Sequence, residues 1–144
     1  MKIEEIGWEE FPDDLKDIVT PYLKKWEPLI PTWVQEFIVR FVPDLNSTLQ
    51  AHINYRNRWF VLKITGNFLD QNEEERHNSI RHELIHLNLE PMASNVSRVI
   101  DDLSPQGSEY RSLIDSFYTD GMEAAIEDLS RGLGRLMESE NHHG

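Results

Sequence analysis

From Phe11 onward, apolar residues recur at helical spacing. Leu15, Ile18, Val19, Tyr22 and Leu23 predict a first helix. Pro12 and the acids Asp13 and Asp14 open it, and Lys24 and Lys25 close it, the charge order that a helix dipole favours. Pro21 lies inside this pattern and is expected to kink or end the helix, and Pro28 and Pro31 punctuate a loop. The period then changes to two. "WVQEFIVRF" (33–41) alternates Phe37, Val39 and Phe41, and "TLQAHINYR" (48–56) alternates Leu49, Ala51, Ile53 and Tyr55 against Gln50, His52 and Asn54. "RWFVLKITG" (58–66) follows a tight turn near Asn57. The last two segments predict a β-hairpin, and the three together a three-stranded antiparallel sheet with one wet face.

Helical spacing returns after "LDQNEEER". Asn72 with Glu75 three residues later matches a capping box, and the first turn is acidic. This helix is expected to run to about Glu90, where Pro91 stops it, and "ASNVSRVIDDL" (93–103) is a candidate short helix. A closing helix is expected from about Pro105 to Met137, with Tyr118, Met122, Ala125, Ile126, Leu129, Leu133 and Leu136 on one face and Gly121 a candidate break. Residues 137–144 read as a frayed tail. The expected fold class is α+β in a single domain, 1–144: N-terminal helix, three antiparallel strands, a second helix and a closing helix.

The chain of 144 residues is long enough to bury a core, and apolar residues make up 39 % of it. Its mean hydropathy is −0.54. No apolar run approaches a membrane span, and "MKIEEIGWEEFPDD" lacks the apolar stretch behind a basic end that marks a signal peptide. A cytoplasmic protein without membrane contact is therefore expected. The absence of cysteine excludes disulfides, thiolate metal sites and cysteine nucleophiles. A formal net charge of −12 repels phosphate backbones. The densest basic groups are Lys24, Lys25, Arg56 and Arg58, so no nucleic-acid partner is expected.

Candidate chemistry concentrates in "NSIRHELIHLNLEPM" (78–92). His82 and His86 are four apart, so one helix turn stacks them on one face, where both imidazoles can reach one ion. Glu83 stands beside the first and can act on a water held by that ion. Ile80, Leu84, Ile85 and Leu87 surround the motif, so the helix should be mostly buried. Histidines there are costly unless hydrogen bonds or a metal satisfy them. Zinc suits two imidazoles and a carboxylate, although iron, nickel or cobalt accept the same donors. The third ligand must come from another element, because Glu90 lies about 12 Å along the helix from His82. Leu89 and Met92 stand where the longer HExxHxxGxxH pattern has glycine and histidine. The closing helix offers Glu123, which borders its apolar face. Glu127 is an alternative or a supporting group, and Asp115 a rival if the helix is continuous through Gly121.

HELIH (82–86), preceded by strands and followed by a helix carrying the pair Glu123 and Glu127, resembles the zincin metallopeptidases, and among them the glutamate-ligand gluzincins. The order of elements is similar to minimal intracellular zincins of the ImmA/IrrE and SprT-like types. The resemblance implies His82 and His86 as zinc ligands and Glu83 as general base. It also implies a first acid on the metal and a second orienting a ligand histidine; here Glu127 stands where the family pattern has aspartate. Tyr110, Tyr118 and Arg111 are candidates for oxyanion stabilisation. The implied activity is zinc-dependent hydrolysis of a peptide bond in an intracellular protein or peptide. The alternative is an inactive zincin-like binding or regulatory module of phage or toxin–antitoxin type. Oligomeric state is not legible.

Overall fold

The structure, a computed structural model, describes every residue except Pro105, Gln106, Ser108 and Gly144, and leaves aside the side chains of Tyr110 and 140–143. The class is α+β. In chain order the elements are β1 (Gly7–Glu9), α1 (Asp13–Lys25), β2 (Glu36–Phe41), β3 (Leu49–Asn54), β4 (Trp59–Ile64), α2 (Gly66–Asp70), α3 (Glu73–Leu103) and α4 (Glu109–His143). Short 3-10 turns precede β1 and follow α1. Among the described residues no helix is long and apolar enough to cross a membrane. The chain divides into two compact units, Met1–Asn88 and Leu89–Gly144, with α3 running through the boundary.

The first unit holds the sheet, and the sheet is mixed rather than antiparallel. Its strand order is β1-β2-β4-β3. The expected hairpin is present: β3 and β4 pair antiparallel, with Leu49 opposite Ile64 and Asn54 opposite Trp59. Its turn is tied by the Asn57 amide donating to Asn54 Oδ1 at 2.9 Å. β2 does not extend this hairpin as a third antiparallel strand. It adds to the far side of β4, parallel, with Phe37 opposite Phe60 and Val39 opposite Leu62. β4 is therefore central. Its alternate residues Phe60, Leu62 and Ile64 are fully buried, and the rings of Phe37 and Phe60 meet edge to face at 4.7 Å. Burying each such side chain contributes about 1.5–3 kcal/mol. The fourth strand, β1, is three residues long and parallel to β2. So short a strand has too few residues to show a period.

Thr65 links sheet to helix. Its Oγ1 accepts from the Phe68 amide and lies 2.6 Å from the Thr48 carbonyl oxygen, which seats α2 at the end of β4. Asn72 then caps α3, its Oδ1 accepting from the Glu75 amide at 2.8 Å. α1 continues through Pro21 to Lys25, because Tyr22, Leu23 and Trp26 beyond the proline are buried. α3 likewise does not stop at Pro91 but absorbs the segment read as a separate short helix. A proline there removes one amide donor and crowds the Leu87 carbonyl, a local cost that the 31-residue helix carries.

In the second unit, α4 is continuous through Gly121 and extends to His143, past the expected end at Met137. No proline interrupts it after Pro105, so no residue bars the next turn. The expected start at Pro105 falls outside the described residues. Among the described residues, the buried positions of α4 are Ile126 and Ser130, whereas Leu129 and Leu136 from the anticipated apolar face are more than half exposed. α3 and α4 run antiparallel here. Arg111 on α4 pairs with Asp101 on α3 and donates to the Ser104 carbonyl at 3.3 Å.

Trp26 is 4 % exposed, and its indole N–H donates to His77 Nδ1 at 2.9 Å. The Arg81 guanidinium lies over the same indole, 4.8 Å from its centre. His77 and Arg81 are thus held against Trp26 rather than solvated. Burial, with the nearby Lys25 and Arg81 charges, holds the His77 pKa below the ordinary histidine value and outweighs the opposing pull of Glu73. The unfolded chain therefore takes up this proton at a higher pH than the folded one. The stability contributed by neutral His77 is fully present above about pH 6.5 and is lost as pH falls towards the folded value. Thermal unfolding from pH 7.5 to pH 5 should show a smaller fall in Tm for His77→Gln, which keeps an acceptor for Trp26 but cannot titrate, than for the native chain.

Candidate metal centre

α3 places the motif by its buried side. Ile80, Leu84 and Leu87 are no more than 1 % exposed, and Ile85, Asn78 and Arg81 are also buried. On a helix these residues occupy a continuous arc of about half the circumference. His82, Glu83 and His86 fall in the adjoining arc and are half-buried. The expected buried setting of the motif is therefore observed. Arg81 donates to Asn78 Oδ1 at 3.4 Å, so two polar groups beside the motif are engaged within it. Asn78 is itself buried. The neighbouring Asn88 donates to the Leu29 carbonyl at 2.6 Å and to the Leu84 carbonyl at 2.8 Å, tying the helix to the turn after α1.

The rings of His82 and His86 lie with centroids 5.1 Å apart and planes inclined by 55°. That spacing can be compared with what one ion requires. Zinc sits about 2.1 Å from each imidazole nitrogen, and about 1.1 Å further reaches the ring centre; a tetrahedral angle then sets the centroids about 5.2 Å apart. The ring spacing is thus compatible with both imidazoles reaching one small ion. Glu83, one residue on from His82, presents a carboxylate a quarter-turn or so round the helix from the two imidazoles.

The acids proposed from sequence sit on α4. Glu123 is exposed. Glu127 is half-buried, and its Oε1 accepts from Arg131 Nε at 2.8 Å. Asp115 is exposed and accepts from Arg111 Nε at 2.9 Å. Since Asp101 holds the same guanidinium, Asp115 belongs to a structural ion-pair group at the turn between α3 and α4. Arg111 is committed there too, which removes its fitness as an oxyanion partner. The side chain of Tyr110 lies outside those described. His52 is exposed on its strand, as its alternation suggested.

Sequence reading did not anticipate a second pair. Burial raises the pKa of Glu90 above the ordinary glutamate value. Tyr118 is raised first by burial and then by the Glu90 charge, which places the two side chains in each other's field. The Tyr118 hydroxyl is buried and has no hydrogen-bond partner among the described residues. A helical wheel places Tyr118 on the apolar face but says nothing of where its hydroxyl ends.

No family model, no curated protein and no solved structure matches the chain.

An unpaired buried hydroxyl costs about 1–3 kcal/mol. Tyr118→Phe, which deletes it and keeps the ring, should leave stability unchanged or raise it by up to about 1 kcal/mol, read as the urea midpoint.

Proposed function

We propose that the protein is a zinc-dependent peptidase of the zincin type, with His82, His86 and Glu123 as metal ligands and Glu83 as general base. The observation that carries the reading is the half-buried imidazole pair on α3, spaced at 5.1 Å with a carboxylate beside it. His82, His86 and Glu123 are also a group that could hold a metal ion.

A zinc ion held by these ligands would supply a water of pKa about 7 and would polarise a carbonyl oxygen. The chain's own part is as follows. The buried arc of α3 fixes the helix, so the imidazoles present nitrogen donors without reorganisation. The Glu83 carboxylate takes the proton of the attacking water and returns it to the amide nitrogen as the peptide bond breaks. The reaction class is hydrolysis of a peptide bond, with an intracellular protein or peptide as the proposed substrate. A second reading, an inactive zincin-like module that acts by contact alone, with or without a metal, is favoured by the large apolar side chains exposed on the second unit.

Metal content should be measured on untagged protein lacking His142 and His143, which could bind metal adventitiously. One zinc per chain is expected, reduced at least about tenfold in His86→Ala and Glu123→Ala and retained in Glu83→Gln. Cleavage of a peptide library by the native protein, absent in Glu83→Gln, supports the peptidase; equal inertness of both zinc-loaded proteins supports the contact module. A chain that takes up no zinc at micromolar concentration overturns the peptidase and leaves the contact module.

A further inference from the structure

The two units differ in how they treat apolar side chains. Ten large apolar residues are exposed among those described, and eight of them belong to the second unit. Single exposed leucines need no explanation, but ordered stripes do. On α3, Met92, Val99 and Leu103 are at least half exposed and spaced seven and four apart, so they share one helix face. On α4, Leu113, Ile114 and Phe117 are exposed at spacings of three and four. The largest exposures are 77 % for Leu103, the last residue of α3, and 68 % for Phe117, in the third turn of α4.

The charge of this unit selects what could cover those stripes. Residues 89–144 contain 11 acids against four arginines and no lysine. Two of the arginines, Arg111 and Arg131, are paired with carboxylates of the unit itself. Asp102 lies beside Leu103, Glu109 one turn before Leu113, and Asp120 three residues after Phe117, so acids border the apolar positions. A second copy would bring like charge against like charge, and an anionic membrane surface would be repelled. An amphipathic helix with basic flanks gains on both counts, since its apolar face covers the stripes and its cations meet the bordering carboxylates.

We propose that the α3–α4 hairpin of the second unit docks a basic amphipathic helix of a partner protein, with Leu103, Leu113 and Phe117 as apolar anchors and Asp102, Glu109 and Asp120 as the charged rim. The proposal does not rest on the metal centre. The hairpin would recognise a partner or a substrate protein in the same way, and the surface needs no ion to present it.

The test uses the full chain and a labelled 20-residue peptide with leucines at helical spacing and lysines elsewhere, followed by fluorescence anisotropy. Saturable micromolar binding is expected, about tenfold weaker for a scrambled peptide of the same composition and for one with glutamates in place of lysines. Leu113→Ser with Phe117→Ser should weaken binding about tenfold while circular dichroism stays unchanged, because both side chains are exposed. Asp102→Asn, Glu109→Gln and Asp120→Asn together should weaken it and flatten its salt dependence. Absence of binding, equal binding of the scrambled peptide, or unchanged affinity in the serine variant would overturn the proposal. So would a dimer in light scattering that the serine substitutions abolish, since the occupant would then be a second copy.

Discussion

Trp26 sets the rotation of α3, and much of the first unit follows from it. Its indole donates to His77 and carries the Arg81 guanidinium on its face, two contacts four residues apart on one side of the helix. A helix held at two such points cannot turn about its axis. Ile80, Leu84 and Leu87 then face the core, and His82, Glu83 and His86 are left on the adjoining arc. Tyr22 and Phe68 extend the same cluster through Arg76, whose guanidinium lies 5.8 Å and 5.9 Å from their ring centres. A histidine one turn before the motif therefore orients the two that carry its chemistry. These roles look alike in sequence and are separated by what each ring meets.

The strands and the motif helix were legible because each signal is local. Alternation in β3 and β4 and a tight turn near Asn57 predict a hairpin from adjacent residues alone, and Asn72 caps α3 through an amide three residues away. The position of β2 was not legible. Its alternation of Phe37 and Val39 suits either neighbour, and only the packing of Phe37 against Phe60 chooses the far side of β4. Pro91 was read as a stop because a local rule sees the missing donor but not the rest of the helix on each side.

The acid on α4 was the weakest part of the candidate site to read, for a related reason. That helix carries more apolar residues than one face can bury, so periodicity offers two faces and cannot select one. The buried line passes through Ile126 and Ser130, a serine that no hydropathy argument would choose, while Leu129 and Leu136 stay exposed. Sequence ranks Glu123 before Glu127 and Asp115 only by its place beside the apolar face. That Asp115 meets Arg111 and Glu127 meets Arg131 becomes visible when side chains have positions. The acidity of the second unit, by contrast, was plain from composition, but its meaning depends on which apolar residues it borders.

The strand order has a consequence for the order in which the chain can assemble. β4 is the last strand in sequence and the central one in space, with β2 on one side and β3 on the other. A chain emerging from a ribosome presents β1, β2 and β3 before the strand that joins β2 to β3 exists. Until Ile64 has been added, the ring of Phe37 lacks its full partner strand, and β3 has nothing to pair with across its inner edge. Synthesis must pass this point with two unpaired strand edges. The short, polar-rich β3 and the charged residues Glu36 and Arg40 of β2 then serve the nascent chain as much as the finished fold, by making premature pairing with a neighbouring chain less favourable.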